Sequence, residues 1–111
     1  TSRDFCFVDN AVQANILAAT TTDKRAMNNI YNVALGDRTS LNELYKILRD
    51  IVGKKNTIRH NKLVYHDFRD GDVRHSQADI TKAHKLLGYR PTYRVLAGLE
   101  NTVNWHFKKN F

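Results

Sequence analysis

Residues 30–53 read IYNVALGDRTSLNELYKILRDIVG, and the change of periodicity inside this stretch decides the fold class. Ile30, Tyr31, Val33 and Leu35 are β-branched, aromatic or aliphatic in a short run and predict a strand, and Gly36 with Asp37 supplies a turn. Ser40 and Glu43 then stand at capping-box spacing, in which each side chain satisfies an orphan amide of a starting helix. Leu41, Leu44, Ile47, Leu48 and Ile51 form the apolar stripe of that helix, predicted from Leu41 to Val52 and stopped by Gly53. Strand, turn and capped helix in this order point to an α/β or α+β chain.

Working outward, Phe5 to Val8 is an apolar run that predicts a strand, followed by Asp9 or Asn10 as a helix cap. Val12, Ile16 and Leu17 have helical spacing, and the hydroxyl-rich Thr20 to Asp23 cluster ends the helix. Leu63 to Phe68 predicts a third strand and Arg69 to His75 a charged loop. Asp79 caps a short predicted helix with Ile80, Ala83, Leu86 and Leu87 inward, closed by Gly88 before Pro91. Val95, Leu99, Val103 and Phe107 line a last helix, which makes about three short strands and four helices.

The chain has 111 residues, enough for one small domain, with a single core as the default. An apolar fraction of 41% without low-complexity tracts indicates a folded chain. No apolar run nears the length that spans a bilayer and no signal-peptide pattern is present, so no membrane partner is expected and the cytoplasm is the expected compartment. Cys6 is the only cysteine, which rules out an internal disulfide or a multi-cysteine zinc site. The net charge of +7 favours a phosphorylated ligand or polyanion. Because the basic residues are spread along the chain, a dedicated nucleic-acid module is disfavoured.

The segment Arg69-Asp70-Gly71-Asp72 is the strongest local candidate for a ligand site. Arginine presents a planar, permanently charged donor fork suited to phosphate. One of the two aspartates can accept a ribose or sugar hydroxyl, or hold an arginine in place. The plainer reading is a solvated turn with local ion pairs. Arg3, beside Asp4, carries the same ambiguity. His60, His66, His75, His84 and His106 lack metal-ligand spacing, and none stands beside a serine or cysteine nucleophile with a third orienting group. Trp105, Phe107 and Phe111 could stack on bases, although their spacing suits core or interface packing better. The five glycines are isolated, so no phosphate loop of the dinucleotide-binding kind exists, and no Tyr-x-x-x-Lys pair is present.

Four segments, SRDFCFVDNAVQAN, YNVALGDRTSLNEL, DFRDGDVRHSQADITKAHKLLGY and the closing helix through Trp105, occur in an order that resembles extended short-chain dehydrogenase/reductases. The similarity is greatest to the carboxyl-terminal portion of bacterial UDP-N-acetylglucosamine, UDP-N-acetylgalactosamine or uronic acid 4-epimerases of surface-polysaccharide synthesis. The resemblance implies an incomplete α/β piece: residues 1–111 as the substrate-binding segment, with the Rossmann core absent. It implies that Arg3 and Arg69 approach the pyrophosphate of a UDP-sugar and that Asp72 lies near the uridine ribose. Ser76, small where related enzymes place a bulky aromatic against simple hexoses, implies room for an N-acetyl group. Catalytic Tyr and Lys, and the NAD they work with, belong in this family to an upstream domain; the segment is therefore expected to hold no cofactor, no metal and no catalytic residue. The parent is expected to be a homodimer. Alternatives are the same fold in a nucleotide-sugar dehydratase or decarboxylase, or a small basic binding module without catalysis.

Overall fold

In a computed structural model, residues 1–55 and 62–110 are described. Six elements follow one another: β1 (Ser2–Arg3), α1 (Val8–Thr20), β2 (Thr39–Ser40), α2 (Leu41–Gly53), α3 (Thr81–Leu87) and α4 (Val95–Asn110). The two strands pair antiparallel, Ser2 opposite Ser40 and Arg3 opposite Thr39. On the other side of β1, Ser2 forms a parallel bridge with His75. The result is a minimal α/β piece in which three segments meet at two residues.

The capped helix is as predicted. Ser40 accepts from the Glu43 N–H at 3.1 Å, and the Glu43 carboxylate accepts from the Ser40 N–H at 2.8 Å. The Ser40 N–H and the Ser40 hydroxyl, which both donate to it, hold the Glu43 carboxyl below its ordinary value. At the end of α3, Gly88 takes a left-handed conformation (φ 72°), and the Tyr89 N–H reaches the Ala83 carbonyl at 3.2 Å. Asp79 accepts the Thr81 N–H at 2.9 Å, although Ile80 holds the cap position.

The strands lie elsewhere than predicted. Helix α1 begins at Val8 with Phe7 at its cap, so Asp9 sits in the first turn and Asn10 points inward. The apolar run 5–8 leads into the helix, and its Phe7 ring lies 4.9 Å from that of Tyr93. A run this short does not reveal whether its period is two or 3.6. Residues 30–35 form no ladder either, because side chains satisfy their backbone. Lys82 donates to the Ile30 carbonyl, Tyr89 to the Ala34 carbonyl, and the Leu35 N–H to the Asp4 carboxylate. Leu63 to Phe68 is exposed and has no strand partner among the described residues. Strand-forming residue types are not sufficient without an edge to pair with.

Packing is divided between two helix pairs, α1 on α3 and α2 on α4. Ala14, Ala83 and Tyr89 centre the first, with Leu17, Tyr31, Val33 and Ile80 around them. Ile51 and Val103 are buried in the second. Few residues are buried, and the chain forms a plate of 54 × 37 × 18 Å. Among the described residues no helix is long and apolar enough to cross a membrane. His60 and Phe111 lie outside the described residues.

Candidate functional site

Strand β1 is the axis of the site. From it the Arg3 side chain reaches toward the loop before His75, donating to the Ser2 carbonyl at 2.8 Å and the Arg74 carbonyl at 3.3 Å. Its remaining terminal nitrogen pairs with Asp72 Oδ1 at 2.8 Å. The ambiguity over the two aspartates is therefore resolved geometrically: Asp72 holds an arginine, and that arginine is Arg3.

Asp72 is brought there by a turn. Its N–H donates to the Arg69 carbonyl at 3.1 Å, and Gly71 between them takes φ 79°, a value glycine adopts without the strain a Cβ would impose. Arg69 and Asp72 line a cleft of about 520 Å³ together with Ser40, Leu41, Asn42 and the 63–68 segment. The Tyr65 hydroxyl crosses this cleft to Asn42 at 3.1 Å. Arg69 is exposed and pairs with no carboxylate among the described residues, whereas Arg74 is engaged, its guanidinium 4.4 Å above the Phe68 ring. The structure thus gathers Arg3, Arg69 and Asp72 at one edge.

Ser76 stands apart from that cleft. It is exposed and bonded through its N–H to the Ser2 carbonyl at 3.2 Å, which places it beside β1. Ser2 Oγ also meets His75 Nδ1 at 2.7 Å, so the stretch 74–76 is tied to β1 by backbone and side chain together.

The residue that sequence reasoning passed over is Asp4. Its Oδ1 accepts the Leu35 N–H at 2.9 Å, and its Oδ2 accepts the Gly36 N–H at 2.9 Å and the Ala78 N–H at 3.2 Å. A half-buried carboxylate directly after a two-residue strand, in an otherwise apolar run, was the available signal.

Elsewhere the polar groups are structural. Asn10 is fully buried; it donates to the Tyr93 carbonyl and accepts from the Thr92 and Tyr93 amides. Burial pushes the Tyr89 hydroxyl up to about 12, with Cys6 beside it, and burial also raises the Cys6 thiol. A thiol held protonated is a poor nucleophile. Among the described residues no group of three His, Cys, Asp or Glu side chains is placed to hold a metal ion.

No family model matches the chain. Solved structures do match it. UDP-glucose 4-epimerase from the hyperthermophile Thermotoga maritima, solved with UDP-glucose, is 37% identical with a TM-score of 0.81, covering 96% of this chain and 32% of its own. UDP-N-acetylglucosamine 4-epimerase from Methanobrevibacter ruminantium, solved with UDP-N-acetylmuramic acid, is 33% identical with a TM-score of 0.79, covering 97% and 32%. Over nearly its whole length the chain is similar to UDP-sugar 4-epimerases of the extended short-chain dehydrogenase/reductase family. A further solved structure, MoeE5 in complex with UDP-glucuronic acid and NAD, is 27% identical with a TM-score of 0.83, covering 96% of this chain and 33% of its own. Curated proteins that it matches include a putative UDP-glucose 4-epimerase of Methanocaldococcus jannaschii, a UDP-glucuronate 4-epimerase of Thermodesulfobacterium geofontis and a UDP-glucose 4-epimerase of Mycolicibacterium smegmatis, and the chain spans about a third of their length. The matched stretch is the carboxyl-terminal portion of the family's fold.

Proposed function

We propose that residues 1–111 are the UDP-sugar-binding portion of an NAD-dependent UDP-N-acetylhexosamine 4-epimerase that works in the cytoplasm on surface-polysaccharide precursors. The observation that carries this reading is the convergence of Arg3, Asp72 and Arg69 at one edge, with Arg69 exposed and without a carboxylate partner among the described residues, beside a cleft of about 520 Å³. Two guanidinium groups from separate segments can clamp a diphosphate, which one flexible lysine would hold poorly. Asp72 uses Oδ1 for Arg3, leaving Oδ2 as an acceptor for a ribose hydroxyl. Ser76 is small and exposed, consistent with a border that admits an acetamido group.

The residues present do not fit NAD: the five glycines are isolated and form no phosphate-cradling loop. In this reading NAD belongs to the parent's dinucleotide-binding domain, the catalytic groups lie there too, and the parent is a homodimer. What these residues contribute is binding and orientation of the nucleotide end, on which the position of the reacting sugar depends.

Calorimetric titration of UDP and UDP-N-acetylglucosamine into the chain tests the reading. Arg69→Ala is expected to cost about 1.5–3 kcal/mol of UDP affinity, the worth of a charge-assisted contact. Ser76→Tyr is expected to weaken UDP-N-acetylglucosamine while sparing UDP. Equal UDP affinity in wild type and Arg69→Ala would remove Arg69 from the site. Salt-dependent binding of an oligonucleotide without competition by UDP would favour a basic binding module instead.

A further inference from the structure

The ribbon that carries Arg3 is only two residues long, too short to fix the loops on either side of it by backbone pairing alone. Where β1 ends, a side chain takes over. The Asp4 carboxylate receives the Leu35 and Gly36 amides from the segment leading into β2, and the Ala78 amide from the segment leaving the His75 bridge. Gln77 adds a bond across the same gap, donating to the Gly36 carbonyl at 2.7 Å. One carboxylate therefore spans both neighbours of β1, as a third and fourth rung would. The loop bearing Arg69 and Asp72 is anchored downstream at this point.

We propose that Asp4 is the positioning residue of this site, acting through Arg3 and the 69–78 segment without touching the ligand; the proposal rests on the UDP-binding reading. Carboxylate chemistry is what the place demands. Three N–H donors converge on two oxygens, a set that an ionised acid satisfies. An asparagine retains one acceptor oxygen and turns an NH₂ donor toward the remaining amides, so at least one donor meets another donor. The consequence is loss of register between β1 and its neighbours while the helices, held by their own packing, persist.

The test uses the 111-residue chain with ¹⁵N-labelled arginine side chains, followed by NMR during UDP titration. Asp4→Asn is expected to retain wild-type helicity, to mobilise the Arg3 guanidinium, and to weaken UDP about ten-fold, the loss equivalent to one charge-assisted contact. Arg69 is expected to respond to UDP still. Asp9→Asn, an exposed acid in the first turn of α1, is the charge control and is expected to behave as wild type. Should Asp4→Asn fail to fold, Ala78→Pro removes one of the three donors with Asp4 in place and is expected to give a smaller loss in the same direction. Arg3 order and UDP affinity unchanged in the folded variant overturn the positioning role and leave the binding reading standing. A wild-type chain whose Arg3 and Arg69 signals ignore UDP overturns the binding reading; Arg3 mobility in Asp4→Asn without ligand then still decides whether Asp4 positions it.

Discussion

Removing the Asn10 carboxamide would orphan two amides and a carbonyl at once. Asn10 is wholly buried and forms the joint between α1 and the approach to α4, accepting from Thr92 and Tyr93 and donating to Tyr93. A buried donor left unpaired costs about 1–3 kcal/mol. Asn10→Ala is therefore expected to destabilise the chain by roughly that amount per orphaned group, read as a shifted midpoint in urea. Tyr89 gives a pH signature. Its hydroxyl donates to the Ala34 carbonyl at 2.7 Å, and burial raises its folded value from 10.0 to about 12. A raised folded value means that stability from the protonated phenol is full below pH 10 and is lost as the pH rises toward 12. Wild type should lose stability across that window more steeply than Tyr89→Phe; parallel curves would show that the phenol does not drive the alkaline loss. Neither role was readable beforehand. Asn10 has the residue type of a helix cap, and only the packing of α1 shows that it faces inward. The Arg3 and Asp72 pairing was equally hidden, because 69 positions separate the partners and no local pattern links them.

Glycine 98 shows tertiary contact overriding local propensity. Within a helix, Ala is favoured over Gly by about 1 kcal/mol, so Gly98→Ala in α4 would stabilise an isolated helix. In the folded chain a Cβ at this position would lie 2.8 Å from Phe7 Cβ, inside any tolerable contact. Phe7 is held against Tyr93 on the other side and has little freedom to retreat. Gly98→Ala is expected to lower the melting temperature while raising the helicity of the α4 peptide alone; a stabilised full chain would mean that Phe7 gives way. At α2 the local and global preferences agree, and there the sequence was legible almost to the residue. The Ser40 and Glu43 capping box and the apolar stripe are short-range devices that need no partner to be recognised. Ser40→Ala should cost about 1 kcal/mol, seen as earlier thermal melting. Strands were misplaced for the complementary reason. A strand exists only through its neighbour, and here side chains of Asp4, Lys82 and Tyr89 took the backbone groups of residues 30–36 that a ladder would have used.

At the scale of the whole molecule, the chain has more surface than its mass warrants. A compact monomer of 12.8 kDa exposes about 6,300 Å², and a folded chain of about this length has a radius of gyration near 13 Å. The observed values are 8701 Å² and 17.0 Å. Part of the excess is apolar: Val8, Val12 and Ile16 stand on successive turns of α1 at 62%, 45% and 57% exposure, and Ile30 is 89% exposed. A continuous stripe of this kind favours association in water. The net charge of +7 opposes it, and that opposition weakens as salt shortens the screening length. The two effects predict a definite sign. Sedimentation velocity of the isolated chain should show self-association that grows with concentration and with added salt, whereas contacts between unlike charges would dissolve in salt. Val12→Lys with Ile16→Lys interrupts the stripe and adds repulsion, and this variant should remain monomeric under the same conditions. A dilute wild-type monomer that unfolds cooperatively at high temperature would show that so small a core suffices and that the apolar stripe of α1 needs no cover.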